Sequence, residues 1–246
     1  MTTSVIISGA RTPIGRLLGA LSGFSAPELG GVAISSALER SGVTADMVDA
    51  VLFGNVVQAG VGPNAARQAS VAGGLGFGVP ATTINKLCLS GLVAVAMADQ
   101  AIRSGQHQVV VAGGMESMTN APHLVMQARQ GVKYGSTTMV DSLDQDALVC
   151  AFDAVSMGAA TEKYGEPHAL TRAEQDEFAA RSHRLADEAT QSGRFAEEIV
   201  PVEVKGRKGV VTVTEDEGIR PGTTLEKMAT LKTAFKPDGV VTAGNS

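Results

Sequence analysis

The fold of this chain is decided by the stretch VPATTINKLCLSGLVAVAMADQAI, which covers residues 79–102. Its first part is short and rich in β-branched residues after an opening proline, which predicts a strand that ends near Lys86. Its second part, from Ser90 onward, is long, apolar and rich in alanine, which predicts a buried helix. Cys88 therefore lies at a predicted turn between a strand and a helix.

Cys88 is the first candidate for chemistry because of its place at this turn. The unpaired N–H groups and the positive dipole end of a helix N-terminus favour a thiolate, and Lys86 would act in the same direction. The thiolate is the reactive form of cysteine. The alternative is a small buried hydrophobe, the usual role of a free cysteine. No His lies within several residues of Cys88 to act as a base, so the local residues leave both interpretations open.

Strand and helix patterns alternate on both sides of this stretch. Apolar runs predict buried strands at residues 5–8, 50–57 and 108–114. A capping box at residues 25–28 opens a helical pattern, and residues 63–72 predict a second, shorter helix. Strands that alternate with helices predict a mainly parallel sheet, and hence an α/β fold.

The pattern changes after Thr119, which predicts a second unit. A helix is predicted to start at residues 121–123, and residues 131–146 form an irregular excursion that is long for a loop without a role, such as an interaction surface. A second capping box at residues 171–174 opens a long helix. Two β-branched runs on either side of a basic tip at residues 205–208 predict a β-hairpin.

Glu116 directly follows the predicted strand at residues 108–114. Open α/β sheets place their functional sites beyond the carboxyl ends of their strands, so a catalytic role is one interpretation of this residue. The other is that Glu116 holds the turn by accepting backbone N–H groups. We favour the second role.

Composition and charge exclude several classes of protein. A formal net charge of -5 and a pI of about 5.4 argue against nucleic acid or an anionic membrane surface as a partner. The two cysteines and four histidines show no metal-ligand spacing, and no glycine-rich nucleotide loop opens a helix, so neither a metal nor a permanently bound cofactor is expected. The absence of a leader-like or membrane-spanning pattern predicts a cytoplasmic location. With 29 glycines, the interior is expected to pack small residues closely.

Four motifs, in the same order along the chain, resemble those of the thiolases. They are GARTPIG at residues 9–15, NKLCLSG at residues 85–91, GGMESM at residues 113–118 and TAGNS at residues 242–246. The resemblance covers the chain from end to end. Residues 205–209 and 218–225 are similar to the acetyl-CoA C-acetyltransferase branch of that family.

The resemblance implies a thiolase fold of two similar α/β halves, with a loop domain inserted in the first half. Residues 1–119 would form the N-terminal α/β domain, a layered βαβαβαβ arrangement that lacks its last strand. Residues 120–243 would form the inserted α+β loop domain, and residues 244–246 would return toward the N-terminal domain. The C-terminal half would be absent from this chain.

The resemblance also implies roles for single residues. Cys88 would attack the thioester carbonyl of acetyl-CoA and carry the acetyl group, while the insert would grip coenzyme A, as a substrate. Met157 would line the pantetheine tunnel and Arg220 would approach the nucleotide. The full set of implied coenzyme A contacts is Ser156, Met157, Arg220, Lys227, Ala243 and Gly244.

The chain departs from the family pattern in two ways. Many relatives have His at the position of Ser156 and Ser at the position of Lys227, and Leu89 replaces a small residue after the nucleophile. The other departure is an absence, since three motifs of the family do not occur in these 246 residues. The first is Gly-His-Pro, whose His would activate Cys88. The second is Cys-x-Gly, whose Cys would take the α-proton of the attacking acetyl-CoA. The third is Asn-Glu-Ala-Phe, whose Asn would also belong to the site.

Two classes of function follow from the resemblance. The first is an enzyme that condenses two acetyl-CoA to acetoacetyl-CoA and coenzyme A, or runs the reverse thiolysis, through an acetyl-Cys88 intermediate. A longer-chain 3-ketoacyl-CoA thiolase is the alternative within that class. The second is a catalytically silent fragment that binds coenzyme A, which the missing His and second Cys favour for this chain alone. Residues 131–146 resemble a tetramerisation loop, so a dimer of dimers is predicted for the complete protein.

Overall fold

A computed structural model describes residues 3–207 and 209–246 of the chain. The chain divides into two compact units. The first extends to Ala147 and also contains Glu198–Glu217, while the second contains Leu148–Glu197 and Gly218–Ser246. The domain boundaries that the resemblance implies, at residues 119 and 243, stay a prediction.

A parallel sheet of three strands forms the centre of the first unit. Its strands are β1 (Ala50–Gly54), β2 (Ala81–Ile84) and β3 (Val110–Gly114), in the order β2-β1-β3. In the register of the sheet, Leu52 lies beside Thr82 on one side and beside Ala112 on the other. The α/β fold and the parallel sheet predicted from the alternation of strands and helices are confirmed.

The helices of the first unit are α1 (Ala26–Ser41), α2 (Ala65–Ala72) and α3 (Ser90–Arg103). Helix α1 begins at the predicted capping box: the Ser25 N–H donates to the Glu28 carboxylate at 2.8 Å, and Ser25 Oγ accepts the Glu28 N–H at 3.4 Å. Gly42 ends the helix with φ of 69°, a left-handed conformation that glycine adopts at little cost.

The core of the first unit is built from apolar side chains of α1, α2 and β1 together with neighbouring loops. Its buried members are Ile34, Val48, Val51, Phe53, Ala66, Ala69 and Leu75. Glycines allow the close approach of these elements. A Cβ on Gly31 would lie 2.7 Å from the Ala72 Cβ, and a Cβ on Gly73 would lie 2.6 Å from Ile34 Cγ2. The predicted close packing of small residues is confirmed.

The strand predicted at residues 5–8 is wrong. These described residues form no strand, and Val5 and Ile6 are 74% and 86% exposed. The segment and the edge strand β3 line the same cavity of about 920 Å³. An apolar run becomes a buried strand only where a neighbour pairs with its backbone, and the described residues 5–8 form no ladder with the edge of β3.

Helix α3 is correctly predicted in extent, but the prediction of a buried helix is wrong for one of its faces. Ser90, Ala94 and Ala98 are buried, whereas Leu92 is 67% exposed. Only the face that carries small residues packs against the rest of the first unit.

Two antiparallel pairs complete the strands of the first unit. They are β4 (His123–Leu124) with β5 (Val140–Asp141), and β6 (Val202–Gly206) with β7 (Gly209–Val213). The helix predicted at residues 121–123 is wrong, because the Pro122 carbonyl accepts the Ser142 N–H at 3.1 Å and the chain then enters β4. The predicted hairpin is confirmed by β6 and β7, and Lys208 at its tip lies outside the described residues.

The second unit contains the helices α4 (Met157–Gly165), α5 (Arg172–Gln191) and α6 (Leu225–Ala229). Helix α5 begins at the second predicted capping box: the Thr171 N–H donates to the Glu174 carboxylate at 2.8 Å, and Thr171 Oγ1 accepts the Glu174 N–H at 3.3 Å. Buried Asp176 accepts from Arg172 Nε and Asn245 Nδ2, each at 2.8 Å, which ties α5 to the last residues of the chain.

Short helical turns connect these elements. The 3-10 turns are Ala45–Met47, Met118–Asn120, Ala128–Gln130, Glu166–His168 and Phe195–Glu197, and a π-helical turn spans Asp144–Leu148. Across the described part of the chain, no helix combines the length and the apolar character needed to span a membrane.

Candidate functional site

The turn that carries Cys88 runs from the end of β2 to the first residue of α3, Ser90. Two of its own side chains hold the backbone. Ser90 Oγ accepts the Lys86 N–H at 2.8 Å and donates to the Leu87 carbonyl at 2.6 Å. Asn85 Oδ1 accepts the Leu87 N–H at 3.1 Å. The conformation of the turn is therefore set by the neighbours of Cys88.

Leu87 adopts a left-handed conformation with φ of 51°, which is costly for a residue other than glycine. A strained residue of this kind persists only where its surroundings hold it, and functional sites are where such residues cluster. The next residue, Cys88, is exposed. Cys88 is therefore not a buried residue of the described chain, and its role as the nucleophile stays a prediction.

The N-terminus of α3 begins beside Cys88. Among the described residues, no side chain caps its first turn, and Leu89 occupies the N-cap position. The side chain of leucine accepts no hydrogen bond. No side-chain cap from the described residues therefore satisfies the first N–H groups or offsets the positive end of the dipole. An anion such as a thiolate is stabilised in this position. We call this terminus the open end of α3.

Glycines allow the open end of α3 to pack closely against the carboxyl ends of two strands. A Cβ on Gly54, the last residue of β1, would lie 2.8 Å from the Ser90 Cβ. A Cβ on Gly114, the last residue of β3, would lie 3.5 Å from the Gly91 Cα. Cys88 thus lies near the edge of the sheet where open α/β folds place their sites.

Glu116 lies two residues beyond β3 and holds a neighbouring loop. Its carboxylate accepts the Val56 N–H at 2.8 Å, the Val57 N–H at 3.3 Å and Asn55 Nδ2 at 2.8 Å. Burial raises the pKa of Glu116, while hydrogen bonds from the backbone of Val56, Val57 and Ser117 and from the Asn55 amide oppose that rise. The predicted role of Glu116 in holding the turn is confirmed.

Two of the predicted coenzyme A contacts lie at the N-terminus of α4. Ser156 is the N-cap residue, and its Oγ accepts the Ala159 N–H at 3.4 Å. Met157, the first residue of the helix, is 43% exposed. The ring of Phe235 packs on the next residue, Gly158. Ser156 therefore has a structural role as a cap, which is independent of any contact with a ligand.

The other four predicted contacts lie on or beside α6. The exposed residue Arg220 donates its backbone N–H to His183 Nδ1 at 3.3 Å. Lys227 Nζ donates to the Gly222 carbonyl at 2.8 Å. Gly244 packs so closely on α6 that a Cβ there would lie 2.7 Å from Met228 Sδ. Its neighbour Ala243 is exposed.

A buried acid that the sequence did not single out links these two groups of contacts. Glu162 of α4 accepts the Val240 N–H at 2.9 Å and the Val241 N–H at 2.8 Å. This joins the helix that starts at Met157 to the segment that ends in Ala243 and Gly244. In the sequence, Glu162 looks like any acid on an amphipathic helix, because its partners lie 78 and 79 residues away.

The predicted site residues divide between the two units. Cys88 belongs to the first unit, and all six predicted coenzyme A contacts belong to the second. Within the second unit, α4 and the segment around α6 each gather part of the set. Their roles toward coenzyme A stay a prediction.

Comparison with known proteins identifies relatives of this arrangement. The model of the family described as thiolase, N-terminal domain, matches residues 4–246. A probable acetyl-CoA acetyltransferase of Mycobacterium tuberculosis (strain H37Rv) is 53% identical over 247 residues, which cover 100% of this chain and 63% of that protein. An acetyl-CoA acetyltransferase of Pseudomonas aeruginosa is 47% identical with the same coverage.

A solved structure agrees with the fold. The crystal structure of the Bacillus anthracis acetyl-CoA acetyltransferase superposes with a TM-score of 0.95 at 39% sequence identity, covering 100% of this chain and 62% of that one. The fold that the motifs predicted is confirmed by this agreement. The chain spans about 63% of the length of the curated relatives that it matches.

Proposed function

The chain belongs to the thiolase family, and from this premise we propose that it supplies the nucleophile and the coenzyme A grip of an acetyl-CoA acetyltransferase. The observation that carries the proposal is the exposed Cys88 beside the open end of α3. A helix N-terminus without a cap stabilises an anion next to it, and an exposed thiol is accessible to a thioester.

The proposed step is an acyl transfer to sulfur. The Cys88 thiolate attacks the carbonyl carbon of acetyl-CoA, and a new carbon–sulfur bond forms. The bond between that carbon and the sulfur of coenzyme A then breaks, and coenzyme A leaves as a thiolate that takes up a proton. The product is acetyl-Cys88. In the complete reaction, a second acetyl-CoA that has lost its α-proton takes the acetyl group, which gives acetoacetyl-CoA and frees Cys88.

The coenzyme A grip is proposed for the second unit. The guanidinium of Arg220 is of the kind that binds phosphate groups through paired hydrogen bonds. Met157, at the start of α4, offers a flexible apolar side chain for the pantetheine arm. Ser156, Lys227, Ala243 and Gly244 complete the proposed set, and Gly244 allows a close approach because it carries no side chain.

A second function is favoured by the sequence of this chain taken alone. The Gly-His-Pro and Cys-x-Gly motifs, which would supply the base for Cys88 and the base for the α-proton, do not occur in it. The chain would then bind coenzyme A and remain catalytically silent.

An oligomer is proposed for the complete protein on the basis of residues 131–146. Exposed apolar side chains mark this excursion, among them Tyr134, which is fully exposed, and Met139. Exposed aromatic and methionine side chains are enriched in protein interfaces. The proposed assembly is a dimer of dimers.

Intact-mass spectrometry after incubation with acetyl-CoA tests the proposed function. We expect the mass to increase by one acetyl group, and peptide mapping to place the group on Cys88. The Cys150→Ala variant is the matched control and should be acetylated normally, whereas the Cys88→Ala variant should not. An unchanged mass, or an acetyl group that persists in Cys88→Ala, would overturn the proposal.

A further inference from the structure

We infer that Glu116 is a positioning residue for Cys88, acting through the loop at residues 55–57 and the side chain of Asn85. The inference rests on the proposed function for its catalytic meaning. The geometry that carries it lies entirely within the first unit.

The first connection is formed by hydrogen bonds between Glu116 and the loop. Its two carboxylate oxygens accept the Val56 N–H at 2.8 Å, the Val57 N–H at 3.3 Å and the Asn55 amide at 2.8 Å. Hydrogen bonds to an ionised acceptor are stronger than those between neutral groups. One side chain therefore fixes the orientation of three successive residues.

The second step runs from the loop to the turn. The Val56 carbonyl accepts Asn85 Nδ2 at 3.3 Å, and Asn55 donates its N–H to the Ile84 carbonyl at 3.0 Å. The Val56 carbonyl shares a planar peptide unit with the Val57 N–H, which donates to Glu116 at 3.3 Å, so Glu116 holds this carbonyl as well. The side chain of Asn85 is thus anchored to a loop that Glu116 keeps in place.

The third step runs from Asn85 to the nucleophile. Asn85 Oδ1 accepts the Leu87 N–H at 3.1 Å, and Leu87 is the strained residue with φ of 51° directly before Cys88. A backbone conformation of this kind is strained and persists only where its surroundings support it. Without Glu116, the anchor of Asn85 loosens, Leu87 relaxes, and the thiol moves away from the open end of α3.

The rate of Cys88 alkylation by iodoacetamide at pH 7 tests the inference, with Cys150 as the internal control. We expect Glu116→Ala to slow alkylation of Cys88 about fivefold, the effect of losing a helix N-terminus, and to leave Cys150 unchanged. Glu116→Gln keeps one acceptor oxygen, so its rate of Cys88 alkylation should fall less. Asn85→Ala should match Glu116→Ala, and the double variant should be no slower than either, because both act through one connection.

A matched control separates positioning from general stability. Asp49 accepts the Gln108 N–H at 2.6 Å and the Val109 N–H at 3.0 Å, at the opposite end of the same sheet. Asp49→Ala should lower the melting temperature without changing Cys88 alkylation. Equal Cys88 rates in Glu116→Ala and the parent chain, additive effects with Asn85→Ala, or parallel changes at Cys150 would overturn the inference. If Glu116→Ala does not fold, the Glu116→Gln and Asn85→Ala comparison decides.

The same experiment keeps the two proposals apart. Alkylation needs only a reactive thiol, so it reports on positioning even if acetyl-CoA leaves no acetyl group on Cys88. An unacetylated parent chain with a slowed Glu116→Ala variant would refute the proposed function and support the positioning role. Acetylation of the parent chain with an unchanged variant would do the reverse.

Discussion

The N-termini of α1 and α5 have side-chain caps for their first N–H groups, whereas the N-terminus of α3 has none from the described residues. Helices α1 and α5 each begin with a reciprocal capping box, Ser25 with Glu28 and Thr171 with Glu174. Within the described chain, α3 begins at Leu89 without a side-chain cap. A capped terminus stabilises the helix, whereas an open one can stabilise a neighbouring charge.

An N-terminus without a cap makes α3 less stable. A good N-cap residue stabilises a helix by about 1 kcal/mol relative to an apolar one, which α3 forgoes. Contacts of Ser90 and Gly91 with the strand ends hold α3 in place of a cap. The comparison therefore indicates that the first turn of α3 is fixed by packing rather than by a side-chain cap.

The largest effect is expected where that packing is broken. Gly54→Ala would place a Cβ 2.8 Å from both the Cβ and the carbonyl carbon of Ser90, so the strand end and the helix must separate. We expect the free energy of unfolding to fall by about 2–3 kcal/mol, as for other overpacked sites. Urea denaturation measures this. Gly23→Ala is the control, because no atom lies within 4 Å of a Cβ there. Equal losses in both variants would mean that α3 is not held by this contact.

A carboxylate at the open end of α3 would make it resemble the other two helices. In Leu89→Asp the new charge competes for the N–H groups and repels the Cys88 thiolate. We expect alkylation of Cys88 by iodoacetamide at pH 7 to slow about tenfold. The uncharged Leu89→Asn variant is the control for the altered shape. If Asp and Asn slow the reaction equally, the effect is not electrostatic, and the comparison between open and capped ends loses its chemical meaning.

The smallest effect concerns the capping glutamates. The hydroxyl and N–H of Ser25 lower the pKa of Glu28 below its usual value of 4.5. A carboxyl group whose pKa is lower in the folded state adds stability above its unfolded pKa and loses it as pH falls through the folded value. The difference in melting temperature between the parent chain and Glu28→Gln should therefore be present at pH 7 and shrink below about pH 4.5. Thermal scans across this range measure the difference. Glu226→Gln tests a second acid whose pKa is lowered, and it should show the same pH dependence. A difference that does not change with pH would contradict the lowered pKa of Glu28.

Local patterns predicted those parts of the molecule whose partners lie close in sequence. Both capping boxes join residues three apart, and the helices that they open were predicted with nearly correct ends. The hairpin of β6 and β7 is equally local. The parallel sheet followed from the alternation of elements, although its order, β2-β1-β3, did not.

Errors arose where burial depends on distant neighbours. Residues 5–8 and one face of α3 are apolar in sequence but largely exposed among the described residues. An apolar pattern states which side chains gain from burial, and only the surrounding chain decides whether that burial occurs. In the candidate site, Cys88 could be located from its turn, whereas the Glu116 connection to it could not.

The sequence by itself determined the helix ends, the alternation of strands and helices, and the position of Cys88 at a strand-to-helix turn, because these depend on contacts within a few residues. Only the tertiary structure decided how that turn is supported. Asn85 reaches Val56 across 29 positions and Glu116 reaches Val56 across 60. Hydrogen bonds between residues so far apart depend on where the sheet places the ends of its strands, and so the support for Cys88 is a property of the folded chain.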